Sequence, residues 1–431
     1  MEKYVFIRMW MGMTLLMGTS SKLFGLISWD KADANRLNIQ TSQKDKASEM
    51  LSMSLEITQS IMITTEKAKA LTKISVLYAQ AGQKNTADEI LSQAEEVADE
   101  IQNTEEKAKV LAEVAVKYAD AGENEKATGC FSRAIESTQS INDDLRKIQT
   151  RTDVALKCAT AGQQQKASEI MSVTLEIAEK IGVAQEKMSA LGGIAKKYVD
   201  IGQKDKAAEI LPQPLKIARE ITDTAVRARA LVWVANKYIA AEQNEEAAEI
   251  LSQALKLTNK IKDARGKATI LADISSQYLA AEQYDQAFEV AKTIEYVDWL
   301  TNALARIASK HVEFGQKEKV TDILAMVLES VKDTKLPQIK DRELSMVAKA
   351  YAESGQCEAG LQVAEQINDA GLKATALSTI AAGYAKIRQK DKALELFVRA
   401  LEMSKGISEL SKARNLDMIL KDYVEAKQTI K

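Results

Sequence analysis

An all-α solenoid of antiparallel helix pairs is the fold class this sequence predicts, and three observations predict it. A short motif ending in glycine recurs at Gly82, Gly122, Gly162 and Gly202, every 40 residues, with an alanine five residues further on each time (Ala87, Ala127, Ala167, Ala207). Before each turn, apolar residues fall three and four apart. Leu71, Ile74 and Tyr78 recur as Leu111, Val114 and Tyr118, which places them on one helical face. The composition favours helix over sheet, since aromatic residues make up 5% and the prolines are Pro212, Pro214 and Pro337. Self-similarity at a fixed period of a few tens of residues marks stacked-repeat proteins, whose units pack on their neighbours rather than round one core.

Residues 1–30 differ from the rest. MEKYVFIR carries Lys3 and Arg8, an uncharged Met-rich run follows from Met9 to Ser21, and LFGLISW comes after Lys22. A basic start followed by an apolar run is the pattern of a secretory signal peptide or membrane anchor. The run is shorter than the roughly 20 residues of a comfortable transmembrane span. The competing reading is an N-terminal cap helix of a cytoplasmic protein. The segment therefore points to export or membrane tethering, with a cytoplasmic location as the alternative.

Residues 31–410 form the repeat. The turn residues are Ser42, Gly82, Gly122, Gly162, Gly202, Glu242, Glu282, Gly315, Gly355 and Arg388, and nine of these ten are followed by Gln, Glu123 being the exception. Each glycine falls where a helix C-terminus wants a residue tolerant of positive φ. The second helix opens on a polar or acidic residue such as Asn85, Glu125 or Asp205, which suits the positive end of a helix dipole, and then buries Ala87, Ile90, Leu91 and Ala94. Asn103, Asp143, Asp223, Asp263 and Asp369 stand where the next first helix needs an N-cap. Pro212 and Pro214 lie midway along a second helix and should kink or break it. The intervals ending at Gly315 and Arg388 are 33 residues rather than 40, a deletion of seven residues or about two helical turns, which keeps the buried face in phase.

Residues 411–431 read as a capping helix. Ala413, Leu416, Ile419 and Tyr423 match Ala68, Leu71, Ile74 and Tyr78 of a first helix, while Asp417, Lys421, Asp422 and Glu425 are expected to solvate it.

Bulk charge and residue usage exclude several classes of function. Lys and Arg number 59 against 61 Asp and Glu, for a net charge of -2, so nucleic acid is not the expected partner. Cys130, Cys158 and Cys357 form no close pair, and His311 is the one histidine, which argues against disulfides, zinc sites and histidine acid–base chemistry. Gly192–Gly193 lies inside a helix with no strand before it and is not a phosphate loop. With no nucleophile–base pair, metal-ligand cluster or cofactor fingerprint, no enzyme activity and no cofactor are expected.

The offsets running Tyr78, Gly82, Ala87, Leu91, Ala94 resemble the tetratricopeptide repeat, as do Tyr118, Gly122, Ala127 and Tyr198, Gly202, Ala207. The resemblance covers about residues 35 to 425, in a variant longer than the usual unit and lacking its terminal proline. HEAT and armadillo solenoids have similar unit lengths but not this Tyr–Gly–Ala pattern. The resemblance implies a right-handed superhelix whose first helices line a concave groove, acting as a protein-binding scaffold. Transferring that geometry places Lys69, Lys109, Gln149, Arg229, Asn302 and Arg342 on one groove row, nine residues before the tyrosine position. That row has no carboxylate, so a peptide or protein with acidic groups or a free C-terminus suits it. Asn236 falls on a second groove row, and Trp233 beside the small residue Val232 is a candidate for ligand stacking or for packing. The plain alternative for these rows is a solvated helix face. His311 and Cys158 stand at the tyrosine position and Cys130 at the Ile90 position, which makes all three core residues, whereas Cys357 falls in a turn and is expected to be exposed. A second function class is a self-assembling array stacked end to end, and the charges of the last helix argue against it.

Overall fold

In a computed structural model, which describes residues 48–332, 336–407 and 409–430, the chain is an unbroken succession of helix pairs, with no strand among the described residues. Helix α1 is described from residue 48 to 59 and is the second helix of its unit. The pairs that follow are α2 (Thr64–Gln80) with α3 (Lys84–Asp99), α4 (Thr104–Asp120) with α5 (Asn124–Ser137), and α6 (Asp144–Thr160) with α7 (Gln164–Glu179). Next, α8 (Ala184–Asp200) pairs with a split second helix, α9 (Lys204–Ile210) and α10 (Pro212–Glu220), and α11 (Thr224–Ala240) with α12 (Asn244–Thr258). The shortened unit is α13 (Ala264–Ala280) with α14 (Tyr284–Lys292), followed by α15 (Val297–Glu313) with α16 (Lys317–Lys332). A second shortened unit, α17 (Pro337–Glu353) with α18 (Cys357–Ala364), precedes α19 (Ala370–Lys386) with α20 (Lys390–Ser404) and the last helix α21 (Glu409–Ile430). Residues 1–30, with their signal or anchor pattern, lie outside the described residues.

The turn explains the beat. Gly82 has φ 81°, its N–H donates to the Ala79 carbonyl at 3.0 Å, and the Gln83 N–H donates to the Tyr78 carbonyl at 2.9 Å. These two bonds cap the orphan carbonyls of a helix that ends in a left-handed residue. Glu242, Glu282 and Arg388 take the same conformation at φ 60°, 61° and 63° without being glycine, at a cost of roughly 1 kcal/mol each. The recurrent glutamine also has work to do. The side-chain amides of Gln163 and Gln356 donate to the carbonyls of Asn124 and Lys317, at 3.3 and 3.4 Å, in the preceding turn. They tie consecutive turns together.

Asn103, Asp143, Asp223, Asp263 and Asp369 each accept a hydrogen bond from the backbone N–H three residues on, at 2.7–3.0 Å. These N-caps stabilise each first helix by about 1 kcal/mol. The two proline residues divide a second helix at Leu211, where Pro212 supplies the first residue of α10. The missing turns of α14 and α18 are lost from their C-terminal ends, and the buried alternation continues through both.

Consecutive first helices pack directly on one another, and each second helix packs on its own first helix and on the next one. No comparable contact joins successive second helices among the described residues. Units that approach more closely on one side bend toward it, so the first helices line the inner face. Small residues permit that approach: Thr72, Ala112, Thr152, Gly192 and Val232 are buried along one row.

Tyr78 and its equivalents are buried, and His311 and Cys158 are buried in the same slot. The His311 Nδ1 lies 2.7 Å from the Gln316 Oε1. Burial pushes the thiols of Cys130 and Cys158 up to about 12. Cys357, expected to be exposed, is buried, because it opens the shortened helix α18 and its sulfur sits against Gly383 of α19. A Cβ at Gly383 would come within 2.8 Å of that sulfur. A charge also enters the core: Arg151 occupies the place of Leu71 and Leu111 and is buried. Its Nε and Nη1 donate to the hydroxyls of Thr174 and Thr138 at 3.2 and 3.1 Å. Thr138 follows the C-terminal end of α5, whose carbonyl dipoles favour a cation.

Candidate inner-face site

The first groove row is less basic in space than in sequence. Lys69 lies 3.5 Å from Glu66 and 3.2 Å from Glu106, Lys109 lies within 4.0 Å of Glu105 and Glu106, and Arg342 contacts Asp298 and Glu343 at 3.6 and 2.9 Å. Burial pulls the Lys69 ammonium down, but its bonds to Glu106 and Glu66 raise it overall. The Lys69 hydrogen bond, ahead of its charge and that of Lys109, lowers the Glu106 carboxyl. Gln149 donates to both carboxylate oxygens of Asp153 at 3.0 Å, and Asn302 is exposed. The row lacks carboxylates, yet those one turn away on the same or the neighbouring helix neutralise most of its cations.

A second pattern runs down the inner face and is visible only across units. A lysine one residue before the tyrosine position reaches a carboxylate in the middle of the preceding first helix: Lys157 to Glu113 at 3.3 Å, and Lys197 to Asp153 at 3.0 Å. The next rung should join Lys237 to position 193. Position 193 is glycine, so the rung is missing. Trp233 stands in its own unit where Glu113 and Asp153 stand in theirs, and the Lys237 ammonium lies 4.9 Å from the centre of its ring. The indole is seated on the neighbouring helix at Gly192, where a Cβ would fall 2.3 Å from the ring edge. Gly193 is open, with nothing within 4 Å of an added Cβ. Gly192, half of the glycine pair that is not a phosphate loop, is the socket for Trp233. A hint was legible, since a glycine pair inside a buried helix needs a neighbour that uses the space.

Around this gap the electrostatics change. Neither Lys237 nor Arg229 is within ion-pair distance of a carboxylate among the described residues. Burial, then the nearby Lys196, lowers the Lys237 ammonium, with Asp200 opposing. Burial raises the Asp273 carboxyl on α13, with Arg229 and Arg306 opposing. Asn236 donates to the Gln277 Oε1 at 3.0 Å. The structure thus brings Arg229, Trp233 and Asn236 together on α11. Lys69, Lys109 and Gln149 lie on α2, α4 and α6, and Asn302 and Arg342 on α15 and α17. Sequence reasoning missed Lys237 and Gly192. Among the described residues no group of His, Cys, Asp and Glu could hold a metal ion, and no helix is long and apolar enough to cross a membrane.

The architecture is that of paired antiparallel helices with a Tyr–Gly–Ala turn, repeated in phase. The chain is an all-α array of antiparallel helix pairs whose Tyr–Gly–Ala spacing resembles the tetratricopeptide repeat. No family model matches it, and no curated protein does. Among solved structures it is similar to a protein from Thermococcus onnurineus at 16% identity and TM-score 0.34, over 81% of this chain and 98% of that one. It is also similar to the TPR-like repeats of a putative kinesin light chain from Podosopora anserina, at 21% identity and TM-score 0.28, over 46% of this chain and 98% of that one. A third is the aspartyl phosphate phosphatase F of Bacillus subtilis, at 12% identity and TM-score 0.30, over 80% of this chain and 96% of that one.

Proposed function

We propose that this chain is a non-enzymatic scaffold that binds a protein or peptide on its inner face, centred on Trp233 and Lys237. One observation supports the reading above the rest: the cross-unit ion-pair ladder stops at Gly193. There it leaves open space, a half-buried indole and two cations with no carboxylate within ion-pair distance. A half-buried lysine without a counter-charge is costly to keep, and an incoming carboxylate from an acidic side chain or a chain terminus would replace the missing rung. Export or tethering through residues 1–30 belongs to the same proposal, and the N-terminal residue of the mature protein tests it.

A photo-crosslinking residue placed at Asn236 tests the site. Partner capture from the source cell should occur there and not from the outer position Lys256. It should fall at least tenfold in Lys237→Glu, whose helical signal is unchanged. Capture that is equal at the two positions, or indifferent to Lys237→Glu, would remove the inner-face assignment.

A further inference from the structure

Shortening a second helix moves the helix that follows it. Seven residues removed from α14 and from α18 displace the next first helix along its axis by about 10 Å, at roughly 1.5 Å per residue. The tyrosine hydroxyls record the shift. In long units they meet residues six or ten past the turn, as Tyr278 meets the Ala248 carbonyl and Tyr118 meets Ser92. After α18 the Tyr384 hydroxyl donates to Glu358, three residues past the turn at Gly355. Each displaced helix overhangs the first turn of the shortened one and forms a cup with it. The two cups are lined at the same offsets from their turns, one of about 480 Å³ beside α14 and one of about 360 Å³ beside α18.

The α18 cup holds a cation of its own. The Lys392 ammonium lies 5.2 Å from the centre of the Tyr384 ring and 3.6 Å from Glu358. The same pairing of a tyrosine with the lysine eight residues on recurs in a long unit, where Lys126 lies 5.3 Å from the centre of the Tyr118 ring. The α14 cup lacks it. His311 stands where Tyr384 stands, and Lys319, eight residues further on, makes no ring contact among the described residues and meets Asp285 at 3.9 Å. Its aromatic wall is larger. Tyr284 stands 5.9 Å from the His311 ring and edge-on to Phe314 at 5.4 Å, and Phe314 is 55% exposed. Cys357 and Ile387 hold the corresponding places of the other cup. Glu282 and Asp285 bring two carboxylates to the rim against the one ammonium of Lys319.

We propose that the α14 cup binds a lysine or arginine side chain of a partner protein, seated over Tyr284 and Phe314 and held by Glu282 and Asp285. The α18 cup supports that occupant, because there the molecule itself places an ammonium over a ring and beside a carboxylate. The negative excess at the rim selects the same sign, and a cation gains most over an aromatic face that is partly desolvated. This site lies at the turn edge of the array and takes a cation. It is separate from the inner-face site round Trp233 and Lys237, and neither depends on the other.

Saturation-transfer NMR on the full chain tests the cup, with Nα-acetyl-lysine amide as the probe and Nα-acetyl-norleucine amide as its uncharged analogue. The lysine probe should give roughly tenfold the signal of the norleucine probe, the size of one cation–π contact with its carboxylate. His311→Tyr restores the repeat's usual residue and should let Lys319 fold over the new ring as Lys392 does. It should abolish the difference between the probes while the helical circular dichroism is unchanged. Phe314→Ala should weaken the difference severalfold, and Lys237→Gln should leave it as it is. Equal signals from the two probes would overturn the proposal, since the cup would then take apolar groups without regard to charge. So would a preference for the lysine probe that survives in both His311→Tyr and Phe314→Ala, which means attraction to the acidic surface as a whole.

Discussion

On the inner side of the array, first helices meet through Ala112, Thr152, Gly192 and Val232, and lysine–carboxylate rungs fill what the small residues leave open. On the outer side, long side chains span wider gaps between second helices: Arg133 pairs with both Glu95 and Asp99, and Arg399 holds Glu365 at 2.6 Å. Close packing fixes the spacing inside, and adjustable ion pairs tolerate it outside. A single substitution therefore matters far more on the inner side, and the one irregular stretch there, from Gly192 to Trp233, is where a specific task fits best.

The comparison can be broken or sharpened by experiment. The largest expected effect is in the packed interior. Leu111→Ala removes a fully buried side chain and should cost roughly 3–5 kcal/mol in urea denaturation, with hydrogen exchange in α4 accelerating first. At the equivalent position, Arg151→Leu restores the repeat's usual residue and should be neutral or stabilising by up to about 4 kcal/mol, because an apolar side chain replaces a buried charge.

Next comes the socket. Gly192→Ala drives a Cβ into the indole and should cost about 1–3 kcal/mol, with Trp233 emission moving to the red as the ring leaves its seat. On the outer side, Arg133→Ala should cost no more than about 1 kcal/mol and lose even that in high salt.

The smallest effect is a pH dependence. The hydrogen bond from Arg399, followed by that from Lys373, lowers the Glu365 carboxyl. A lowered folded pKa gives stability that is present above the unfolded value of about 4.3 and is lost as pH falls through the folded one. Glu365→Gln should flatten the acid side of the Tm–pH curve by a few tenths of a kcal/mol, since the pair is exposed and screened.

Everything that depends on local spacing could be read from the sequence: the helix pairs, the glycine turns, the five aspartate and asparagine caps, the two shortened units and the break at Pro212. His311 and Cys158 were placed correctly because they share the phase of Tyr78. What could not be read depends on residues about 40 apart meeting across units. Trp233 on Gly192 and Lys157 on Glu113 are contacts between repeats, set by the stacking offset rather than by any helical period, and Arg151 reaches Thr138 of the preceding unit as well as Thr174 of its own. The charge around the first groove row is not legible from the row alone, because its lysines must be read together with Glu66, Glu105 and Glu106 at three- and four-residue spacing and, for Lys69 and Glu106, across units. Cys357 misled because Gly383 of α19, which has no side chain, lets the sulfur pack against it across units.

The interruption of the inner ladder can be tested without knowing any partner. Lys157 and Lys197 hold their ammonium groups in ion pairs, whereas Lys237 has no carboxylate within ion-pair distance, and burial, then Lys196, lower its ammonium. Brief acetylation of the native protein, read by mass spectrometry at each lysine, should modify Lys237 severalfold faster than Lys157 and Lys197. Equal rates at the three lysines would contradict the claim that the ladder is open at this point.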